Sequence, residues 1–453
     1  MSLKKKLEGL SFYNSAVKPV HWVRAVVAAV RYRFPARKLK VIGVTGTNGK
    51  TSTCFYIWKM LNESGRKAGL MTTVGWGYKR IHNELNHMTT VDSRTLNKRV
   101  KTIADAGAEY LVLEVTSHAM EQFRTLGVPI EIAVFTNLTH EHLDYHKTME
   151  RYARAKCKLF RKARFSVINA DDEYAKKFMK AAKDYITYGI KNGKVRAKNV
   201  ELTPKGTKYS CGDIKVETQI PGEFSVYNSL AAVVVGQKLG LKSEEISRGI
   251  SALESVEGRM TKVDEGQDFT VIVDYAHTPD ALEKVFGALG EVSGRVISVH
   301  GGAGRRDETT RAERGEILGR NSDIVIITED DSRDENPEKI AGQFVKGAEK
   351  AGKKLGKDLA VNLDREEAIR AAVRLARKGD VVLLLGKGHE KTILRADGAH
   401  KFEDIKVAKR YLRERMREDD LKKEAAEQAR KLREEVERKR RKREEGEYGN
   451  IVE

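Results

Sequence analysis

Short apolar runs separated by amphipathic stretches fill most of this 453-residue chain. Runs rich in β-branched residues and bounded by turn residues predict buried strands. They lie at 39–44, 109–115, 130–135, 165–169, 270–274, 295–300, 323–328 and 380–385. Helical patterns lie between them, as at 51–63 and 225–239. Such alternation predicts an α/β fold with largely parallel sheets and helices on both faces.

The strand series starts afresh after Val256-Glu-Gly-Arg-Met260, which suggests a domain boundary. We therefore predict a doubly wound central domain followed by a Rossmann-like α/β domain. The predicted parts are a basic N-terminal segment, the central domain, the second domain and a charged helical or disordered tail, at 1–37, 38–258, 259–410 and 411–453.

The N-terminal segment predicts a basic amphipathic helix. Residues 1–40 contain ten Lys or Arg and one acid, a net charge of +9. One helical face carries Trp22, Val23, Val26, Val27 and Val30, with Arg24 and Arg31 off it. Two interpretations stay open: the apolar face docks on the domain behind it, or the segment makes a peripheral contact with an anionic membrane.

The C-terminal tail is strongly charged but of mixed sign. From residue 405 onward it holds seventeen basic and thirteen acidic side chains, a net charge of only +4. Interleaved signs favour a solvated helix with salt bridges, or a disordered segment, over a nucleic-acid arm. We therefore predict no specific nucleic-acid partner despite the overall charge of +20.

Cysteine usage and the N-terminus bear on location. Cys54, Cys157 and Cys211 lie far apart, with neither metal-ligand spacing nor a disulfide framework. Polar residues follow Lys4-Lys5-Lys6, so no signal peptide is recognised, and no apolar stretch is long enough to span a bilayer. These features predict a reducing, cytoplasmic environment.

The segment 41–52 predicts a triphosphate site. Gly43, Gly46 and Gly49 follow a strand and precede a helix, so backbone N–H groups can surround phosphates at the positive helix end. Lys50 would reach the β- and γ-phosphates and Thr51 a Mg²⁺ ion. The predicted nucleotide-binding residues here are Gly46, Thr47, Asn48, Gly49, Lys50, Thr51 and Ser52. The alternative is an ordinary glycine-rich strand–helix turn.

Two further segments carry possible metal ligands. Glu114 ends a predicted strand, where ligands bind in doubly wound sheets, and could hold the Mg²⁺ of ATP. His140, His142, Asp144 and His146 form the densest ligand cluster. It approaches the His-x-His-x-Asp-His motif of metallo-β-lactamase-like hydrolases, but Tyr145 stands where the last histidine belongs.

These segments resemble the Mur ligases, ATP-dependent enzymes that join an amino acid to a carboxylate. The resemblance rests on Gly-x-x-Gly-x-x-Gly-Lys-Thr at 43–51, on Glu-Val-Thr-Ser-His at 114–118 and on the segment 136–146, and it runs from about 38 to 410. It implies that Glu114 holds Mg²⁺, that His142 ligates a second Mg²⁺ and that Lys156 is carbamylated. From sequence alone Lys156 looks like a helix-surface residue.

The resemblance also implies nucleotide contacts outside the loop. Asn228 matches the residue that reads adenine, although Ser225 stands where the family usually carries another Asn. Arg259, Asp274 and His277 match segments of the second domain that close over the nucleotide.

Within the family the chain is most similar to the UDP-N-acetylmuramyl-tripeptide synthetases. Thr89, Thr90, Ser117 and Arg124 match their contacts to a UDP-muramyl-dipeptide acceptor, although Val91 replaces the usual proline. About forty residues precede the phosphate loop, so we expect the usual N-terminal uridine-nucleotide-binding domain to be missing.

The amino acid that would be added is predicted from the second domain. In the family, an arginine at the position of Arg333 marks enzymes that add meso-diaminopimelate, and its guanidinium can grip the distal carboxylate through two hydrogen bonds. The remaining implied contacts are Arg306, Asp331, Gly386 and Glu390. Alternatively, Arg333 pairs with Asp330 or Asp334.

We therefore predict an ADP-forming ligase with ATP and Mg²⁺, adding a free amino acid in peptidoglycan precursor synthesis. Its catalytic residues would be Lys50, Glu114, His142 and Lys156. The alternatives are a Mur-like ligase with another acceptor, either folylpolyglutamate synthetase-like or polymer-forming, and a non-catalytic nucleotide-dependent binding protein. Sequence leaves the oligomeric state open.

Overall fold

A computed structural model describes residues 17–84, 88–203 and 205–448, with side chains described as far as 441. The first sixteen residues of the predicted N-terminal segment and the last five of the tail lie outside this range. The predicted α/β class is confirmed: two mainly parallel sheets lie on either side of residue 258. No helix within the described ranges is long and apolar enough to cross a membrane.

The first sheet has nine strands in the order β4-β3-β2-β5-β1-β6-β7-β8-β9. They are β1 (Lys40–Thr45), β2 (Ala68–Met71), β3 (Gly75–Tyr78), β4 (Arg80–Asn83), β5 (Tyr110–Glu114), β6 (Ile132–Phe135), β7 (Phe165–Asn169), β8 (Tyr185–Gly189) and β9 (Val195–Arg196). The seven strands β2, β5, β1, β6, β7, β8 and β9 are parallel, and β3 and β4 add an antiparallel edge next to β2.

Fifteen helical segments, one of them a 3₁₀ turn at Pro35–Lys38, are found among the described residues. The α-helices are α1 (Lys18–Arg31), α2 (Lys50–Glu63), α3 (Ser93–Asp105), α4 (Ser117–Glu121), α5 (Leu143–His146), α6 (Met149–Lys162), α7 (Ala175–Ala181), α8 (Glu223–Lys238), α9 (Ser243–Ser251), α10 (Pro279–Gly287), α11 (Arg311–Asn321), α12 (Pro337–Lys350), α13 (Arg365–Leu375) and α14 (Asp404–Tyr448).

Helices cover both faces of the first sheet, because alternate strand residues point to opposite sides. Ile42 and Val112 join a core with α2 and α8. Val41 and Leu111, the preceding residues on the same strands, join a second core with α3 and α6. Strands buried on both faces read as continuous apolar runs, which is why the sequence revealed them.

A three-stranded antiparallel sheet precedes α8 and was not predicted. It consists of β10 (Lys198–Thr203), β11 (Gly206–Cys211) and β12 (Ile214–Thr218). One face buries Tyr209, Ile214 and Val216, while Lys208 and Lys215 on the other face are exposed. Strands buried on one face alternate apolar and polar residues, and a search for continuous apolar runs misses them.

The second sheet has six strands in the order β13-β14-β18-β15-β16-β17, and a hairpin lies outside it. The strands are β13 (Thr261–Val263), β14 (Thr270–Asp274), β15 (Val296–Gly302), β16 (Ile324–Glu329), β17 (Leu359–Val361) and β18 (Val381–Leu385), with β19 (Thr392–Arg395) and β20 (Gly398–Lys401) forming the hairpin. Only β13 pairs antiparallel within this sheet. Its other strands place their carboxyl ends along one edge.

Helix α14 begins packed and continues into solvent. Asp404 is buried and accepts two hydrogen bonds from the equally buried Arg365 at 2.8 and 2.7 Å. Residues 421–441 are exposed throughout, with i,i+4 ion pairs such as Lys431–Glu427 at 2.8 Å. The prediction of a solvated helix with salt bridges is therefore confirmed. The alternative, a disordered tail, does not hold for the residues up to 448.

Helix α1 packs in an unexpected orientation. The docking interpretation, in which the Trp and Val face meets the domain, is wrong. Ala25, Ala28 and Ala29 face the protein, whereas Val23 and Val27 expose 51% and 59% of their surface.

Candidate active site

The carboxyl ends of both sheets border one cavity of about 1820 Å³. Ligands bind at this edge of open α/β sheets. Most predicted site residues line the cavity: Thr47, Asn48, Gly49, Lys50, Thr51, Ser52, Thr89, Glu114, His142, Asn228, Arg259, Asp274, His277, Arg306, Asp331, Arg333, Gly386 and Glu390. The predicted residues that are not part of its lining are Gly46, Thr90, Ser117, Arg124 and Lys156.

The phosphate loop joins β1 to α2 and requires glycine at two positions. Gly49 has a left-handed φ of 81°, and a Cβ atom there would lie 2.3 Å from Asn228 Oδ1. A Cβ atom at Gly46 would lie 1.8 Å from Thr136 Oγ1. The loop is therefore packed closely between neighbours, with the N-terminus of α2 pointing toward the cavity.

The segment after β6 holds the phosphate loop in place. Thr136 and Asn137 donate side-chain hydrogen bonds to the Asn48 carbonyl oxygen at 2.7 and 3.0 Å. Asn137 Oδ1 in turn accepts from the Asn48 N–H at 2.9 Å. The amides of a loop held in this way need little rearrangement to meet an anion.

Thr51 and Glu114 meet at the base of the loop. Thr51 Oγ1 donates to Glu114 Oε2 at 3.0 Å, and the same carboxylate oxygen accepts from the N–H of Thr73 at 3.0 Å. Arg259, from the second half of the chain, donates to Thr51 Oγ1 at 3.3 Å, and its guanidinium lies 4.5 Å from the ring centre of Tyr275. Two oxygen ligands and a cation thus converge beside Lys50.

His142 lies beside Glu141, which sequence reasoning left unassigned. Glu141 Oε1 lies 3.4 Å from His142 Nε2 and 3.2 Å from His277 Nε2. Burial lowers the pKa of His142 to about 3, so its imidazole is neutral at pH 7, as a metal ligand must be. Although burial opposes it, His142 and His277 hold the pKa of Glu141 well below its ordinary value.

Lys156 is not the surface residue that its sequence suggested. It is 1% exposed, and its Nζ donates to the Gly46 carbonyl oxygen at 2.7 Å and lies 4.5 Å from the ring centre of Tyr152. Burial and the nearby Lys50 lower its pKa well below the usual lysine value. A neutral amine, the form that can add carbon dioxide, is therefore favoured here.

The predicted acceptor residues form a hydrogen-bonded group behind Glu114. Thr90 Oγ1 donates to the Glu114 carbonyl oxygen at 2.9 Å, and Arg124 donates to the carbonyl of Thr90. Ser117 Oγ lies 2.8 Å from His146 Nε2. Thr89 is the member of this set that lines the cavity.

The two halves of the chain touch at the loop itself. Asn48 Nδ2 donates to Asp280 Oδ2 at 2.6 Å. His277 Nδ1 donates to the Tyr275 carbonyl oxygen at 2.8 Å, which fixes its ring. Asp274 accepts from the N–H groups of Met260 and Ala276, both at 2.7 Å. Asp274 therefore shapes the turn that presents His277.

The pocket on the second half is built around Lys387, which sequence reasoning also missed. This buried ammonium lies 3.3, 2.7 and 2.6 Å from carboxylate oxygens of Asp330, Asp331 and Glu390. Burial alone would lower its pKa, but the three carboxylates raise it overall. The sequence feature that could have identified Lys387 as a site residue is its place in Gly386-Lys-Gly388, directly after a buried strand.

Arg333 and Arg306 border the same pocket. Arg333 Nη1 donates to the Gly304 carbonyl oxygen at 3.2 Å, and Asp334 pairs instead with Arg305 at 2.9 Å. Asp330 is held by Lys387. The structure therefore does not support the alternative in which Arg333 pairs with Asp330 or Asp334. Arg306 is exposed in the cavity lining.

Comparison with known proteins finds two family profiles that match the chain. The profile "Mur ligase middle domain" matches residues 44–236, and "Mur ligase, glutamate ligase domain" matches 258–388. The UDP-N-acetylmuramoyl-L-alanyl-D-glutamate–2,6-diaminopimelate ligase 1 of Clostridium acetobutylicum is 39% identical over 404 residues, covering 86% of this chain and 81% of the relative. The UDP-N-acetylmuramyl-tripeptide synthetase of a Roseiflexus species is 38% identical over 415 residues, covering 86% and 82%.

Solved structures show the same likeness. A UDP-N-acetylmuramoyl-L-alanyl-D-glutamate–2,6-diaminopimelate ligase matches with a TM-score of 0.59 and 30% identity, over 87% of this chain and 83% of that chain. The MurF ligase of Thermotoga maritima in complex with ADP matches with a TM-score of 0.64 over 86% and 84%, but at 20% identity it shows the fold alone.

Proposed function

Because the chain belongs to the Mur ligase family, we propose that it is an ATP-dependent, ADP-forming ligase that adds meso-diaminopimelate to UDP-N-acetylmuramoyl-L-alanyl-D-glutamate. The observation that carries this proposal is the shared cavity: the phosphate loop and the pocket of Arg333 open into the same space. Relatives named as 2,6-diaminopimelate ligases, at 38–40% identity, support the choice of amino acid. With ATP and a UDP-linked acceptor as substrates, the reaction would take place in the cytoplasm.

The nucleotide would bind at the loop 46–52. Loop amides and the N-terminus of α2 would hold its phosphates, and Lys50, which now donates to the Thr47 carbonyl oxygen at 2.6 Å, would turn to the γ-phosphate. Asn228, beside Gly49, would contact the adenine, with Arg259, Asp274 and His277 closing from the other side. These contacts orient the terminal phosphorus toward the acceptor.

The residues around the loop fit one divalent cation directly. Thr51 and Glu114 offer oxygen atoms 3.0 Å apart, the ligand type that Mg²⁺ prefers. Neutral His142 would serve a second ion, and Lys156 would join it only when carbamylated, because the carbamate supplies the carboxylate-like oxygen atoms that Mg²⁺ prefers. Bound Mg²⁺ would neutralise the charge that develops on the phosphates.

The reaction would then follow two transfers. A carboxylate oxygen of the acceptor attacks the γ-phosphorus, and the bond to ADP breaks. The amino group of the incoming amino acid attacks the acyl carbon, the new amide forms, and phosphate leaves with the amine proton lost to solvent or a base. Lys50 and the loop amides would stabilise charge on the transferring group. Of the predicted acceptor residues, Thr89 would contact the acceptor from the cavity lining, and Thr90, Ser117 and Arg124 would support the wall behind it.

Selection of meso-diaminopimelate would rest on opposite charges in one pocket. Its distal end carries a carboxylate and an ammonium. Arg333 and Arg306 supply positive charge for the carboxylate, and Asp331 and Glu390 supply negative charge for the ammonium, with Gly386 leaving room beside them. Lysine lacks the distal carboxylate and would leave both arginines unpaired.

The test is amino-acid-dependent ADP release by the full chain with ATP, Mg²⁺ and UDP-N-acetylmuramoyl-L-alanyl-D-glutamate. Release that requires both the acceptor and meso-diaminopimelate supports the proposal. Release with a different acceptor, such as a folate polyglutamate, would instead support a ligase of the same fold. Nucleotide binding without turnover on any acceptor would contradict a ligase.

A further inference from the structure

Helix α1 presents an uninterrupted apolar face to solvent. Ala25, Ala28 and Ala29 pack on the protein, near Gly127 and α3. On the opposite side the exposed apolar side chains, with their exposed fractions, are Val20 at 49%, Trp22 at 49%, Val23 at 51%, Val27 at 59% and Val30 at 57%. The alanine contact fixes the helix, so this outer face cannot turn inward. No described residue covers it.

The charged side chains on α1 and on the residues that follow it, up to residue 40, are all basic. Arg24 and Arg31 flank the outer face along one margin, about 20–40° beyond Val20 on a helical wheel of 100° per residue. No acid occurs from residue 9 to residue 40, and Arg33, Arg37, Lys38 and Lys40 follow the helix. The only described ion pair of α1 joins Lys18, its first residue, to Glu121 at 2.9 Å.

We propose that the outer face of α1, defined by Val20, Trp22, Val23, Val27 and Val30, docks on an anionic phospholipid surface. A helix with a large apolar face, a tryptophan and basic margins lies in the plane of a membrane interface. The apolar side chains enter the boundary of headgroups and acyl chains, and the arginines contact the lipid phosphates.

Charge argues against a second copy of this chain as the occupant. Pairing two outer faces would place Arg24 and Arg31 of each copy along the margins of the contact, and no acid between residues 9 and 40 could compensate. A lipid surface supplies many phosphates at once and needs no matching shape. This inference does not depend on the proposed ligase activity.

The test is sedimentation of the full chain with vesicles of phosphatidylglycerol and phosphatidylcholine, compared with phosphatidylcholine alone. We expect binding to the anionic vesicles and a partition coefficient at least tenfold lower on the neutral ones. The double variant Val23→Glu/Val27→Glu should lose at least tenfold of the anionic binding. Leu432→Glu/Val436→Glu, an equal change at two exposed apolar residues four positions apart on α14, should not.

Fluorescence quenching locates the contact. The chain has three tryptophans, Trp22, Trp58 and Trp76. Brominated lipids should quench the wild type, and Trp22→Phe should abolish that quenching while sedimentation persists. Absence of anionic binding, unchanged binding by the double variant, or quenching that survives Trp22→Phe would each overturn the proposal. So would sedimentation velocity showing a dimer that the double variant dissociates.

Discussion

Two replacements of Lys156 separate its proposed chemical role from its structural one. Methionine removes the amine and keeps an unbranched buried side chain of similar length, whereas alanine also opens a cavity behind Gly46. If Lys156 lay on the surface, as the sequence suggested, replacing it by alanine would leave the stability of the fold unchanged. Because Lys156 is 1% exposed and its Nζ lies 2.7 Å from the Gly46 carbonyl oxygen, we expect either replacement to lower the free energy of unfolding measurably.

The structure sets the size of both effects. In Lys156→Met the Gly46 carbonyl oxygen loses its hydrogen-bond donor, which lowers the free energy of unfolding by about 1–3 kcal/mol. Part of this loss is offset, because the variant no longer buries an amine that water would otherwise solvate. Alanine adds a cavity worth about 2–5 kcal/mol, as for other long buried side chains. If the lysine carries a carbamate that stabilises the transition state, either variant should lose about 100-fold or more in kcat.

Thermal unfolding and ADP release measure the two effects on the same samples. Lys156→Met should unfold within a few degrees of the wild type and yet be nearly inactive. Acetate or propionate should partly restore turnover to Lys156→Ala, whose cavity admits a carboxylate, and not to Lys156→Met. A methionine variant with wild-type turnover would refute the role of Lys156, whatever its stability.

Three further predictions concern other parts of the site. Arg333→Ala should lower kcat/KM for meso-diaminopimelate at least tenfold, since losing a buried charge-assisted contact costs about 2–5 kcal/mol. As a control, Arg305→Ala, which removes an exposed arginine nearby, should change kcat/KM less than twofold. Gly49→Ala should abolish ATP binding in a fluorescent-nucleotide titration, because its Cβ atom would lie 2.3 Å from Asn228 Oδ1, and micromolar binding would contradict the loop geometry. Burial raises the pKa of Asp172 to about 6, so the free energy of unfolding of the wild type should fall as pH rises from about 4 to 6. Asp172→Asn lacks this loss, so its free energy of unfolding, measured by denaturant titration, should gain on that of the wild type over that window by at most about 3 kcal/mol. A constant gap between the two proteins would contradict that shift.

Local patterns sufficed for eight buried strands and for the phosphate loop. Strand Thr270–Asp274 was predicted with its observed bounds, and Gly49-Lys50-Thr51 lies where a strand meets a helix. Such features depend on neighbours in sequence, so periodicity and glycine spacing reveal them. Residues whose partners are distant were harder to place. The burial of Lys156 depends on Gly46, 110 positions away.

Charge partners and helix orientation show the same limit. Lys387 pairs with Asp331 across 56 positions, so no local pattern connects the two charges. In α1 the valine face is the more apolar, yet the alanine face docks. The small side chain of Ala29 approaches Gly127 closely, where a Cβ atom would lie only 3.1 Å away. Close packing of small residues decided an orientation that hydrophobicity alone predicted wrongly.

A competition assay tests the central claim most directly. The purified chain receives ATP, Mg²⁺, UDP-N-acetylmuramoyl-L-alanyl-D-glutamate and an equimolar mixture of meso-diaminopimelate, lysine and ornithine, and the products are separated by mass. We predict that the diaminopimelate product dominates, with one ADP released per amide formed. A product dominated by lysine or ornithine, or no amide product at all, would contradict the account.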